Sequence, residues 1–400
     1  LDRLKHGRLH IIEGGAARSF GSVREDYPIE ATVIVHHPRC FSAIAFGGSV
    51  GAGEAYMAGF WSADDLTKVV RILTRNQDVL QAVDSRFALL SIPLNKLLHR
   101  LHQNTMKGSL RNIHAHYDLG NDFYSIFLDN TMTYSCGIFD RPADTLEQAA
   151  TRKYDRMCRG LGLKPTDDVI EIGSGWGGFA LHAASQYGSR VTTTTISREQ
   201  YDYVGAKIDE HGLTDRVTIL FQDYRELTGI YDKLVSIEML EAVGFERFDL
   251  FFRTCASLLK DDGQMGLQTI IIADRYYEQA KRSVDFIKKY IFPGGCLPSV
   301  AAVCASTSRV TDLQLVRLDD ITPHYTVTLR KWRERFTASL DRVRSLGYSD
   351  TFIRMWEYYL SLCEGAFAER HIGDVQMFFT KPLSREASVT DHSTECDVWR

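Results

Sequence analysis

The chain has 400 residues, 44% of them hydrophobic and 24% charged, with a net charge of −4. Such a composition belongs to a globular protein large enough for one large or two ordinary domains, and it excludes the strongly basic footprint of a nucleic-acid binder. No stretch approaches about 18 consecutive apolar residues and the first residues lack the apolar core of a secretory signal, so no spanning helix is expected and the expected compartment is cytoplasmic. Eight cysteines without Cys-x-x-Cys spacing argue against a disulfide framework or a zinc knuckle.

Residues 1–100 read as a smaller α+β accessory domain. His10–Ile12, Ala31–Val35 and Phe41–Phe46 are short β-type runs, followed by glycines from Gly47 to Gly53. Asp64 and Asp65 can cap a helix whose apolar positions Leu66, Val69, Val70 and Leu73 recur at helical spacing, and Val79–Leu90 offers a second helix. No catalytic constellation stands out in this section.

Residues 101–133 link this domain to a second, larger one. Within them, His114, His116 and Asp118 could be read as a metal cluster, but their spacing suits a strand and no partner follows at ligand spacing. The alternative is a polar hairpin or loop beside a cofactor, and no metal is assigned.

From Thr151 the pattern alternates. Val169–Ile172, Arg190–Ile196, Val217–Phe221, Leu234–Ile237 and Met265–Ile272 are strand candidates, separated by helical stretches such as Arg198–His211 and Phe248–Leu259. Alternation of this kind predicts a parallel sheet covered by helices on both faces, with ligands at the carboxyl ends of the strands. The first of these ends carries Glu171, then Gly173, Gly175 and Gly177. Glycine is wanted where the backbone turns with positive φ close to a ligand. The spacing is Gly-x-Gly-x-Gly, not the Gly-x-Gly-x-x-Gly of dinucleotide sites, and an acid before it resembles the first motif of S-adenosylmethionine-dependent methyltransferases. After the second strand stand Thr195, Ile196 and Gln200, with no acid for a ribose. Asp223 and Tyr224 follow the third, able to accept from an adenine amino group and to offer a ring. Glu238 and Glu241 follow the fourth, two carboxylates in an apolar stretch.

Beyond the fifth strand, Ala273–Lys289 reads as a charged, aromatic-rich helix and Tyr290–Ser299 as an apolar loop. Such an insertion suggests a lid over a greasy substrate, or else a dimer or domain contact. Ile321–Thr328 reads as a strand containing Tyr325, and Phe352–Arg370 as a helix containing Cys363. Residues 384–400 are polar, unpatterned and expected to form a flexible tail.

The blocks His116–Tyr124, Met132–Cys136, Glu171–Gly177, Ser236–Gly244, Tyr290–Val300 and Tyr359–Phe367 together resemble the cyclopropane-fatty-acyl-phospholipid synthases. The match runs from about Ile113 to Pro382, which implies a class I methyltransferase (Rossmann-like) α/β sheet with a lid insertion over residues 101–383. The resemblance implies S-adenosylmethionine as cofactor, held by Tyr134, Ser135, the Glu171–Gly177 segment, Thr195, Ile196, Gln200, Asp223 and Tyr224. It also implies a bicarbonate ion caged by Cys136, Glu241, Tyr325 and Cys363, with Gln268 where the family usually has a histidine. An amide donates a hydrogen bond as imidazole does but carries no proton near neutral pH.

The expected reaction is methyl transfer to the cis double bond of a phospholipid acyl chain, leaving a carbocation stabilised by groups such as Glu241 and Tyr325, then proton loss and ring closure. The alternatives are a methylene- or methyl-branched product and a small-molecule methyltransferase. Cys136 has no activating histidine in sequence, which favours a contact role over a covalent one. Reaching the double bond implies transient peripheral contact with the inner face of a membrane, for which Lys281, Arg282, Lys288 and Lys289 are candidates if they are not simply a solvated face. A homodimer is a further expectation.

Overall fold

The computed structural model of the chain describes residues 1–77 and 119–385. The expected helix Val79–Leu90, the cluster His114–Asp118 and the tail from residue 386 lie outside the described residues. The chain forms two compact units. Residues 283–293 and 329–372, expected in the catalytic section, group with residues 1–101, and the second unit comprises 102–282, 294–328 and 373–400.

The first unit contains a four-stranded sheet in the order β2-β1-β3-β4, formed by Gly7–Glu13 (β1), Ala16–Ser22 (β2), Glu30–Val35 (β3) and Trp61–Ala63 (β4). Helix Leu66–Arg75 starts where expected, with the Asp65 side chain accepting from the Lys68 amide. The run Phe41–Phe46 is not a strand. It lies in helix Arg39–Met57, broken at Gly48, where φ is 56° and ψ −136°. Packing carries the helix past its glycines: the buried face holds Gly51, Gly53 and Ala55, and a Cβ on Gly53 would stand 2.5 Å from Phe286. Phe286 is itself buried against Tyr358, ring centroids 4.7 Å apart, so part of the apolar insertion packs within this unit. The expected single helix Ala273–Lys289 is two short ones, Asp274–Ala280 and Phe286–Tyr290, the second restarted by an Asp285 cap on the Lys288 amide.

In the second unit, Asp168–Ile172 (β5), Arg190–Thr195 (β6), Val217–Phe221 (β7), Tyr231–Ile237 (β8), Leu259–Ile272 (β9), Gln314–Asp320 (β10) and Ile372–Thr380 (β11) form a seven-stranded sheet, ordered β10-β11-β9-β8-β5-β6-β7. The pairs β5–β6, β6–β7, β5–β8 and β8–β9 are parallel, and β10 runs antiparallel to β11. Successive side chains of a strand point to opposite faces, and the apolar run of β5 divides accordingly. Ile170 and Ile172 join a core with Phe248, Phe251 and Met265, whereas Val169 joins one with Met157, Phe179 and Val204. This is the class I methyltransferase sheet. Its strand order reverses at β5, between β6 and β8, and the crevice at such a switch point is where a ligand binds.

Ile321–Thr328, expected as a strand, opens helix Thr322–Ala338. The start is set by Asp320, whose carboxylate accepts from the Thr322 amide, and by Pro323 in the first turn. Among the described residues no helix is long and apolar enough to cross a membrane.

Candidate active site

The turn after β5 is built from backbone. The amides of Gly173 and Ser174 donate to the Thr194 carbonyl, and Gly173, Gly175 and Gly177 hold φ of 94°, 48° and 88°. A Cβ on Gly178 would stand 2.3 Å from the Tyr154 hydroxyl oxygen, so the helix Gly178–Tyr187 can seat only with glycine there. A Cβ on Gly175 would meet nothing within 4 Å. That open side of a positive-φ turn, at the start of a helix, is a cradle for a ligand's backbone-facing edge. Glu171 lies below it, buried, with Thr193 donating to its carboxyl at 2.6 Å; burial pushes its pKa up to about 8.

Of the other expected cofactor residues, Thr195, Ile196, Gln200, Asp223 and Tyr224 follow neighbouring strands, and Tyr134 and Ser135 lie in the loop before helix Leu146–Gly160. Thr195 donates to the Gln200 amide oxygen at 2.8 Å, and Ile196 continues into the Ser197 cap of helix Arg198–Glu210. The Asp223 carboxylate takes a two-point ion pair from Arg225, while Tyr224 packs edge-on against Phe251. Tyr134 packs against Tyr124, centroids 5.2 Å apart, and the Ser135 hydroxyl accepts from Lys153. Lys153 is fully buried, over the Tyr154 ring; burial lowers its pKa against the opposing pull of Glu238.

Next to this turn, across β5 and β8, lies an acid network. Met239 touches Gly173: a Cβ there would stand 3.1 Å from its side chain. The preceding residue, Glu238, has a φ of 48°. Its Oε1 accepts from the Cys136 amide and the Gln268 side-chain amide, each at 2.8 Å, and its Oε2 accepts from the Tyr325 hydroxyl at 2.6 Å. Gln268 Nε2 also reaches Asp374 Oδ2 at 3.2 Å, and Gln268 Oε1 accepts from Gln376 at 3.0 Å. Asp374 is fully buried and its Oδ1 has no hydrogen-bond partner among the described residues. Burial, then the Glu238 charge, holds its carboxyl well above the usual range.

Glu241 stands apart from Tyr325's hydroxyl bond. Its Oε1 accepts from the Thr269 hydroxyl at 2.9 Å and from the Ile270 amide, and its Oε2 is buried without a partner among the described residues. Burial, then Glu238, raises its pKa to about 8. The Cys136 thiol is fully buried and held well above its ordinary value by burial, with Asp374 and Glu238 adding to it. Cys363 belongs to the other unit, on helix Asp350–Ala368, where burial raises its thiol to about 12.

Three members of this network, Asp374, Gln376 and Lys153, were not singled out from sequence, and Glu238 was noted only as one of two carboxylates. The signal existed: Asp374 and Gln376 alternate with Val375 and Met377 in an apolar strand, and Lys153 falls on the buried face of helix Leu146–Gly160. The cations proposed for lipid contact are engaged: Lys281 and Arg282 pair with Glu278, Lys289 with Glu54, and Lys288 donates to the Ser283 carbonyl.

A profile of the mycolic acid cyclopropane synthetase family matches residues 104–377. The tuberculostearic acid methyltransferase UfaA1 of Mycobacterium tuberculosis is 36% identical over 353 residues, covering 86% of this chain and 82% of that protein. The cyclopropane-fatty-acyl-phospholipid synthase of Escherichia coli is 36% identical over 362 residues, covering 88% of each. Among solved structures, the mycolic acid cyclopropane synthase CmaA1 complexed with SAH and CTAB superposes with a TM-score of 0.64 at 31% identity, over 68% of this chain and 98% of that one. The chain belongs to the mycolic acid cyclopropane synthetase family of S-adenosylmethionine-dependent methyltransferases.

Proposed function

We propose that the chain transfers a methyl group from S-adenosylmethionine to the cis double bond of an unsaturated phospholipid acyl chain, with proton loss and closure of a cyclopropane ring. The observation that carries this reading is the juxtaposition, at one switch point, of an open glycine cradle with a buried network of acids and a phenol. The relatives support it: one is named for cyclopropane synthesis on fatty-acyl phospholipids, and the CmaA1 structure contains SAH.

The residues fit the cofactor. The Gly173–Gly177 turn, Thr195, Ile196 and Gln200 would hold one end of it, Tyr134, Ser135, Asp223 and Tyr224 the rest. When bound, S-adenosylmethionine supplies an electrophilic methyl on sulfur. The chain must then hold the alkene in line with that methyl, exclude water that would trap the acyl cation, and accept a proton. Negative charge at Glu238, with the phenol of Tyr325 on it, stabilises a cation formed nearby.

Bicarbonate does not fit the arrangement observed. An anion needs donors, and those at the expected positions are already engaged: the Tyr325 hydroxyl and the Cys136 amide donate to Glu238, Gln268 to Glu238 and Asp374. No step here runs through it.

Gln268 favours a second product. Ring closure and methylene branching both lose a proton from the same new methyl; branching follows when a 1,2-hydride shift precedes that loss. A neutral amide in place of an imidazole slows proton removal and gives the shift time. The relative named for tuberculostearic acid accords with this branch. The lipid would be met by peripheral contact with a membrane.

Purified protein, S-adenosylmethionine and vesicles of monounsaturated phospholipid test both readings. Cyclopropanation gives acyl chains one CH2 heavier without an alkene; a retained alkene selects the branched product. Methyl groups found on no acyl chain would reject the proposal.

A further inference from the structure

We propose that Glu238 is the chain's own proton acceptor, its carboxylate seated in the hydrogen-bond donors that would otherwise hold a free anion. This rests on the acyl-methylation reading above and adds to it a catalytic residue.

Three donors converge on this one carboxylate: the Cys136 amide, the Gln268 amide and the Tyr325 hydroxyl. All three belong to positions where the family resemblance places the anion cage, so Glu238 brings in a tethered carboxylate where a diffusible one was expected. The tether has a conformational cost. A non-glycine residue at a φ of 48° is strained, and such strain persists where surrounding contacts over-determine it, as three hydrogen bonds do here.

The neighbours suit the role. Asp374, sharing Gln268 Nε2 with Glu238, has its carboxyl held well above the usual range by burial and by the Glu238 charge, which favours its neutral form beside that carboxylate. Buried Lys153 lies close enough to feel that charge and offset it. Glu241 is the weaker candidate, since the Thr269 hydroxyl and the Ile270 amide engage one oxygen and burial favours its neutral form.

The step balances. In the acyl cation a C–H bond of the added methyl breaks, and its electron pair becomes the closing C–C bond of the ring, or the C=CH2 bond after a hydride shift. The released proton passes to the Tyr325 oxygen as the phenol's own proton passes to Glu238 Oε2. Cation and carboxylate are both neutralised and Tyr325 ends as it began.

The test is chemical rescue in the full-length protein. With vesicles of monounsaturated phospholipid in carbonate-free buffer, the wild type should turn over at the same rate with and without added bicarbonate. Glu238→Gly, a substitution the positive φ tolerates, should lose about 100-fold or more in kcat. It should bind SAH as the wild type does, and regain turnover when bicarbonate or formate is added. Glu238→Gln, with no acceptor of comparable basicity, should lose kcat to the same extent. A bicarbonate requirement in the wild type, turnover retained by either variant, or no rescue in a Glu238→Gly protein that still binds SAH would each overturn the inference. Failure of the wild type to methylate any acyl chain would instead bring down the reading on which it rests.

Discussion

The Tyr325 hydroxyl donates to Glu238, not to Glu241, although only two residues separate the two acids. The consequence is a phenol whose proton is already directed at an acceptor. Tyr325→Phe keeps the ring's packing and leaves Glu238 Oε2 without its donor. We expect kcat to fall by about 10²-fold, the range for loss of a general acid–base partner, with SAH affinity within twofold of wild type by calorimetry. A change in KM alone would make the hydroxyl a binding group.

Cys136 contributes its backbone. The Glu238 bond comes from its amide, and the thiol faces the carbonyls of Gly137 and Ile321 and the side chain of Thr328. Cys136→Ala should therefore keep turnover within about tenfold of wild type, and the wild-type thiol, held protonated by burial, should resist iodoacetamide at neutral pH. Complete loss in Cys136→Ala, with the fold intact by circular dichroism, would point to covalent chemistry.

Two glycines of the turn separate folding from binding. At Gly175 an alanine methyl meets open space, so the fold should lose only about 1 kcal/mol to the positive φ while the methyl blocks the cradle; SAH affinity should drop at least tenfold. At Gly178 the methyl meets the Tyr154 hydroxyl, and the loss should appear first in the urea midpoint. Equal SAH affinity in Gly175→Ala and wild type would move the cofactor elsewhere.

The five parallel strands β5 to β9 were legible because they are short runs between helical periods, a pattern tied to backbone geometry, whereas β10 and β11 were not anticipated. Phe41–Phe46 and Ile321–Thr328, both expected as strands, are runs too short for periodicity to separate strand from helix. The second is decided locally, by Asp320 and Pro323, which form a helix start. Of the candidate site, the positive-φ glycine turn after β5 was legible. The identity of the acid bound by Tyr325 was not, because Glu238 and Glu241 are equivalent in composition and only the turn of the chain at a positive φ aims the first at the phenol.

Buried Glu364 joins three donors in the first unit: Thr67 at 3.2 Å, Arg330 at 3.2 Å and Arg333 at 2.8 Å. Glu364→Ala removes the carboxylate hydrogen-bonded to the half-buried Arg333 and should cost about 3 kcal/mol, the lower end for breaking a buried pair because Arg330 stays exposed and Asp65 and Glu334 still act on Arg333. Urea denaturation reads this directly; a loss under about 1 kcal/mol would mean that water already screens the cluster.

Glu171 makes stability depend on pH with a definite sign. Its carboxyl is raised from the ordinary 4.5 to about 8 by burial, against the hydrogen bond from Thr193. Between those two values the folded chain keeps a proton that the unfolded chain has released. The contribution is thus complete below about 4.5 and is lost as pH climbs to 8, falling by about 1.4 kcal/mol per pH unit for one proton. Glutamine keeps the shape and an oxygen for Thr193 but has no proton to lose, so Glu171→Gln should remove that slope. Urea midpoints taken from pH 5 to 8 should converge toward the acid end and separate toward neutrality, with the variant the more stable. Glu241, shifted to the same value by burial and by Glu238, contributes a second proton of the same sign, so Glu171→Gln with Glu241→Gln should flatten the profile further. Parallel profiles for wild type and Glu171→Gln would show that Glu171 ionises in the folded chain as it does in water.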